Sequence, residues 1–418
     1  MNRNKFDENA RLTRAMTMVF LLALGVSARA QTQDLETDRF SVRGFGTLAA
    51  TTHDADGIEF RRSIDQPHGV RDGAVDLAAD SLAGLQFNLA LVTHFDAVVQ
   101  GVTRMNSDGS WDPRITQGFV RYSPDEVLVF RAGRFGYDIY LLAESRQVGY
   151  SYLPVRPSLE FYGMVTNDQI DGADAALTLR AGPGLARVRV FGGDGVSEIA
   201  FKDGTNSETR GRALGASFDY LYRGWTARVA LLRFTFDPDP QLAPLLGALR
   251  STGSPQAAAI ADSLGHEEYK SLGIQLGIAY EDGALQAQLM YGGGTANSIA
   301  VPEFRKVYAL VGYRVHQWTP FLSYASSHDS NPIRGTGLPD IPQLAPLEAA
   351  VRDIQRSSRS TQHTVSAGVR FDLSEHVDFK FQVDRASLGD TSLVFDNRVP
   401  PGGPASMTVI AASIDFVF

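Results

Sequence analysis

The chain has 418 residues, 44% hydrophobic, 21% charged and 10% aromatic, with a formal net charge of −8 and no cysteine. These values exclude disorder as the main state, and the missing cysteine excludes a disulfide framework, a Cys-ligated metal and a Cys nucleophile. The acidic balance argues against nucleic acid as a partner, which phosphate neutralisation would require; beyond residue 30 no run of 18 apolar residues supplies a membrane-spanning helix.

Residues 1–30 read as an export signal. Lys5, Arg11 and Arg14 give a basic start, Ala15 to Val26 an apolar run, and Ala28-Arg29-Ala30 the small residues of a cleavage site. The mature chain, 31–418, carries a net charge near −11 once the +3 of this segment is removed.

From there the chain alternates with period two. Sixteen segments of about ten residues lie near 40–50, 81–92, 95–105, 114–123, 126–136, 172–182, 184–194, 210–222, 225–236, 270–281, 284–295, 304–315, 318–328, 362–373, 377–388 and 406–418. Their connections alternate between short turns, such as Arg223-Gly224 and Asp282-Gly283, and long loops. Even strand number and short/long alternation predict a 16-stranded antiparallel transmembrane β-barrel. Hydrocarbon offers no partner to a backbone N–H, so a sheet crosses a bilayer only by closing on itself. Eighteen strands are the alternative, if the first and seventh long loops each hide a hairpin. Phe95, Tyr122, Tyr220, Tyr222, Trp225, Tyr280, Tyr313, Trp318 and Phe371 recur beside short turns, as an interfacial girdle requires.

The last segment, Met407 to Phe418, ends in Phe with apolar residues at every second position before it. It resembles the terminal signal read by the assembly machinery of Gram-negative outer membranes. Between Gly118 and Gly163, Tyr122-Ser123-Pro124, Arg131-Ala132-Gly133-Arg134, Val148-Gly149-Tyr150-Ser151-Tyr152 and Arg156-Pro157 resemble a porin-like family of proteobacterial outer membranes, of general or phosphate-selective type. The resemblance implies a bacterial outer-membrane channel, a homotrimer, contact with lipid and lipopolysaccharide, engagement of the assembly machinery through Phe418, and a third connection, about 137–171, folded into the barrel.

Placing apolar positions outward turns Arg43, Arg104, Arg131, Arg187, Arg189 and Arg228 inward, since a charge on the lipid face costs roughly 2–4 kcal/mol at mid-bilayer. Such a wall attracts anions; pairing with Asp174, Asp219 and Asp372 is the competing reading. In the third connection Asp138, Glu144, Arg146, Arg156 and Glu160 are the polar candidates for a constriction, an acidic edge facing a basic wall across the opening. Leu344, Leu347, Val351 and Ile354 share one helical face, and 241–249 and 254–264 also read as helical. No P-loop, H-E-x-x-H or G-x-S-x-G occurs, so neither an enzyme nor a cofactor or metal is expected. The expectation is a water-filled channel for passive diffusion of small hydrophilic solutes with a weak anion preference. A substrate-specific channel for a sugar, organic acid or aromatic compound is the alternative, and an enzyme or adhesin with a closed lumen is a third reading.

Overall fold

Alternating residues cannot share one environment, and the barrel separates them. In a computed structural model, residues 39–71, 73–141, 143–163, 165, 169–200, 206–238, 240–329, 333–357, 359–391 and 405–418 are described; the export signal lies outside them. Sixteen antiparallel strands form one closed ring. They are β1 (Phe40–His53), β2 (Leu82–Val92), β3 (Phe95–Thr103), β4 (Arg114–Tyr122), β5 (Leu128–Phe135), β6 (Ile170–Ala181), β7 (Gly184–Ala200) and β8 (Asn206–Tyr222). There follow β9 (Trp225–Phe236), β10 (Tyr269–Asp282), β11 (Leu285–Ala296), β12 (Phe304–Tyr313), β13 (Trp318–Asp329), β14 (Ser360–Asp372), β15 (Val377–Thr391) and β16 (Ser406–Val417). Each strand pairs with its chain neighbour, and β1 pairs with β16.

Strand β2 shows the rule. Leu85, Phe87, Leu89 and Leu91 stand on the outer surface, each more than 40% exposed. Gln86 and Asn88 turn inward and join an amide ladder, Gln100 donating to Gln86 (3.0 Å), Gln86 to Asn88 (2.8 Å) and Asn88 to Ser41 (3.1 Å). This inversion of the soluble pattern suits a bilayer. Leu276, at the middle of β10, faces outward. Leu276→Arg is expected to cost about 2–4 kcal/mol in denaturant unfolding from lipid, with Leu276→Val nearly neutral.

At the short turns aromatic rings pair between neighbouring strands: Phe95 with Tyr122 (4.5 Å), Trp225 with Tyr280 (4.7 Å) and Trp318 with Phe371 (4.5 Å). Arg223 and Gly224 both hold positive φ, 45° and 77°, the two-residue turn that matches strand twist. The seam is made by Gly44 and Phe418, whose backbones exchange two hydrogen bonds of 2.9 Å. A Cβ on Gly44 would lie 2.1 Å from the Phe418 ring, so glycine makes the seat for that ring.

Two expectations change. The eighteen-strand alternative is excluded. The first long connection does hold a hairpin, Glu59–Phe60 with Val70–Arg71, but it forms its own two-stranded sheet outside the ring. The stretch 195–209 is largely strand rather than loop, because β7 and β8 stay paired from Leu185/Leu221 to Ala200/Asn206. Beside Val196, its outward positions carry Glu198, Glu208 and Arg210, so the extension lacks the sustained apolar alternation that marks the other segments.

The helical readings of the loops match the structure, with α1 (Ala243–Ser251), α2 (Pro255–Leu264) and α3 (Ala345–Ser357). The Ser254 side chain caps α2 by accepting from the Ala257 N–H at 3.3 Å, with Pro255 in the first turn. The three helices pack on one another through Leu249, Ile260, Ala261, Leu264 and Val351.

Candidate functional site: the third connection and the inner wall

Strand β5 ends at Phe135, and the chain then turns inward until β6 begins at Ile170. Two sets of contacts hold this third connection to the wall. The first lies on β14, β15 and the first long connection. Arg156 is 3% exposed. It grips Asp80 (2.7 Å) and Asp384 (2.7 Å), while its guanidinium lies 4.9 Å from the centre of the Phe60 ring. Bidentate, buried and fully engaged, it has the geometry in which a guanidinium pair is strong. Lys380 donates to three carbonyls of the connection, Gly149 (2.7 Å), Tyr152 (2.7 Å) and Pro154 (3.3 Å), and pairs with Asp415 at 3.1 Å. Arg370 donates to the Tyr150 carbonyl at 2.7 Å, and the Tyr150 hydroxyl donates to Glu375 O at 2.9 Å in the short turn after β14. The connection therefore reaches the short-turn end of the barrel. Gly149 is confined there: a Cβ would lie 1.9 Å from an Asp415 carboxylate oxygen and 2.3 Å from the Thr47 hydroxyl. Glu160 is buried and accepts from Gln362 (2.7 Å) and Thr364 (2.5 Å).

The second set is a fan of charges. Arg131 on β5 pairs with Asp174 on β6 and with Glu144 at 2.9 Å. Arg189 on β7 pairs with Glu144 (2.7 Å) and Asp138 (3.0 Å). Arg228 on β9 grips Asp219 through two bonds of 2.6 and 2.8 Å, pairs with Asp138, and donates to the Tyr140 carbonyl at 2.7 Å. Among the described residues joined in these pairs, four carboxylates meet three guanidiniums, an excess of one negative charge.

This corrects the basic wall and the field across an opening. Loop acids and wall arginines touch, so their charges close on one another instead of spanning a gap. The six wall arginines also divide. Arg131, Arg189 and Arg228 come together in the fan. Arg104 pairs with Asp65 of the first long connection at 2.8 Å. Arg187 stands opposite Asp219 in register, and Arg43 is exposed opposite Gln86 near the short-turn end. Of the loop candidates, Asp138 and Glu144 join the fan, Arg156 and Glu160 anchor the loop on the far wall, and Arg146 is half-buried between them in sequence.

Sequence reasoning also missed how apolar the interior is. Inward residues Val98, Phe119, Phe191, Ala230, Met290 and Tyr308 form one buried cluster with Tyr137, Ile139, Tyr140, Phe161 and Tyr162 of the third connection. Asp80 was missed as well, since nothing in the loop around it marks it as the partner of Arg156.

The two acids of the loop edge respond differently to pH. Burial pushes the Asp138 carboxyl up, and Arg228 and Arg189 offset this only in part. Burial also raises Glu144, but Arg189 and Arg131 bring it below its ordinary value. Burial favours protonation of Asp138 as pH falls, and that protonation removes the excess negative charge of the fan. The zero-current potential in a salt gradient is expected to move toward anions as pH falls from 7 into the carboxylate range. Asp138→Asn is expected to show that shift already at pH 7 and to lose the pH step.

No family model and no curated protein matches the sequence. Solved structures match its fold. OmpF of Salmonella typhi, in complex with daunomycin, is 12% identical with a TM-score of 0.54, covering 91% of this chain and 97% of that one. The outer membrane channel DcaP of Acinetobacter baumannii is 11% identical with a TM-score of 0.52, over 91% and 97%. The anion-selective porin of Comamonas acidovorans is 13% identical with a TM-score of 0.51, over 91% and 99%. With its closed ring of sixteen strands, apolar outer belt and long third connection, the chain has the fold of the outer-membrane porins.

Proposed function

We propose that this protein is an outer-membrane porin through which small hydrophilic solutes diffuse passively, with weak preference for anions and without enzymatic activity. One observation carries the reading. The inward face of a closed barrel is set with amides, guanidiniums and carboxylates while its outward face is apolar. The preference is weak because the fan offsets its three arginines with four carboxylates and adds no positive charge to the lumen. It rests on Arg43, which makes no ion pair among the described residues and sits near the short-turn mouth. Lipid and lipopolysaccharide around the belt, the assembly machinery at Phe418, and a homotrimer are parts of the same proposal.

Single-channel conductance of refolded protein in a planar bilayer, with a salt gradient, tests it. Steady current with an anion-directed potential supports the reading. A cation-directed potential keeps the channel and removes the preference. No conductance removes the channel.

The apolar cluster between the third connection and the wall favours a second reading, a substrate-specific channel. Saturable block of the current by one solute class distinguishes it from a general pore.

A further inference from the structure

Above the fan, on the long-loop side, the third connection and strands β9 to β12 line an open recess of about 220 Å³. Its walls are apolar: Tyr137 and Ile139 from the connection, with Leu232, Phe234 and Phe304 from the strands. Beside the hydroxyls of Ser197 and Ser271, two larger polar side chains interrupt them, Lys306 and Gln275, both 3% exposed. Lys306 places its ammonium 4.6 Å from the centre of the Phe304 ring, and makes no hydrogen bond or ion pair among the described residues. Glu160, the nearby carboxylate that acts on it electrostatically, is already engaged by Gln362, Thr364 and Ser158. Gln275 donates to Leu276 O at 3.1 Å, but its buried side-chain oxygen has no partner.

A buried ammonium without a contacting anion is costly, and so is an orphaned amide oxygen. An apolar chamber holding one unmatched cation and one unmatched acceptor has the complement of a small amphipathic acid. Size narrows the class. An apolar cavity of about 150 Å³ holds benzene, so this recess holds one ring with a short acidic arm. The wall is also left bare where a ring would lie. A Cβ built on Gly273 meets nothing nearer than 3.8 Å, and one on Gly292 nothing nearer than 3.5 Å.

We propose that this recess binds a single-ring aromatic carboxylate, its carboxylate on Lys306 and its ring against Phe234 and Phe304. The proposal rests on the channel reading and names the solute class of its selective form.

Phenylacetate is the probe, with acetate and 2-phenylethanol as controls lacking the ring and the charge. Calorimetry on folded protein in detergent is expected to show saturable phenylacetate binding, with both controls at least tenfold weaker. Lys306→Met is expected to weaken phenylacetate at least tenfold, and Lys306→Arg to retain most of the affinity. Gly273→Leu is expected to abolish binding by filling the recess. A gel shift on heating identifies folded variants before titration. Equal binding by Lys306→Met and the parent protein, equal binding of 2-phenylethanol, or no binding by the parent overturns the proposal. Conductance without solute separates the two readings. A conducting protein that binds no phenylacetate remains a channel without this site, and a binding protein that does not conduct keeps the site and loses the channel.

Discussion

Arg156→Ala is expected to release the third connection from the wall and to destabilise the barrel by about 3–5 kcal/mol, the usual cost of removing one partner from a buried ion pair. The side chain ties three distant parts of the chain, Asp80 before β2, Asp384 on β15 and Thr51 on β1. Its loss leaves two carboxylates inside the barrel without their cation. Three measurements check this: a lower midpoint in thermal unfolding, protease cleavage within 148–160, and a noisier, larger single-channel current. Adding Asp80→Asn to Arg156→Ala is expected to recover part of the stability, because much of the cost belongs to the abandoned charge. Acid should not imitate the mutation under mild conditions. Burial raises the Asp80 carboxyl, but the charge and hydrogen bonds of Arg156 bring it below its ordinary value. A folded-state value below the unfolded one contributes stability above the unfolded pKa, and that stability is lost only as pH falls through the lower, folded value. The anchor therefore holds at pH 5, and a loop released at that pH would contradict it.

Arg228→Ala is expected to turn the channel toward cations. The fan already carries one excess negative charge, and this change doubles it while leaving Asp138 with Arg189 alone. The zero-current potential should move in the cation direction, with a loss of stability again near 3–5 kcal/mol from the deserted Asp219. Arg228→Lys separates the two effects. An ammonium keeps the charge but cannot span Asp219, Asp138 and the Tyr140 carbonyl as a planar fork does. The lysine variant should keep the parent potential and lose stability. If it shifts the potential as far as alanine does, loop position rather than charge sets selectivity.

The barrel was legible because each strand repeats one binary choice, apolar toward lipid and polar toward the lumen, and the choice survives without any long-range information. Leu85-Gln86-Phe87-Asn88 states it, and the ring follows from the absence of edges in hydrocarbon. The charge fan was legible in its members but not in its balance. Arg131, Arg189, Arg228, Asp138 and Glu144 are all polar candidates, yet whether loop and wall stand apart or touch depends on the path from Tyr137 to Gln169. That path is set by Lys380 gripping loop carbonyls and by a glycine at 149 with no room for a side chain, and neither leaves a pattern in the local sequence. Lys306 was hidden for a similar reason. It occupies an ordinary inward position, and only the recess beside it makes it unusual.

The seam between β1 and β16 has a consequence for the order of events in making this protein. Thr47 and Asp415, hydrogen-bonded across it, are 368 positions apart in the chain. Loop closure over so long a separation is the slowest kind of contact to form. A chain still lacking β16 has two unpaired edges, on β1 and β15, and every other strand already matched. Such an intermediate is a ready template for pairing with another copy. Synthesis is thus separated from closure by nearly the whole sequence, and the sheet keeps two open edges until its last strand arrives.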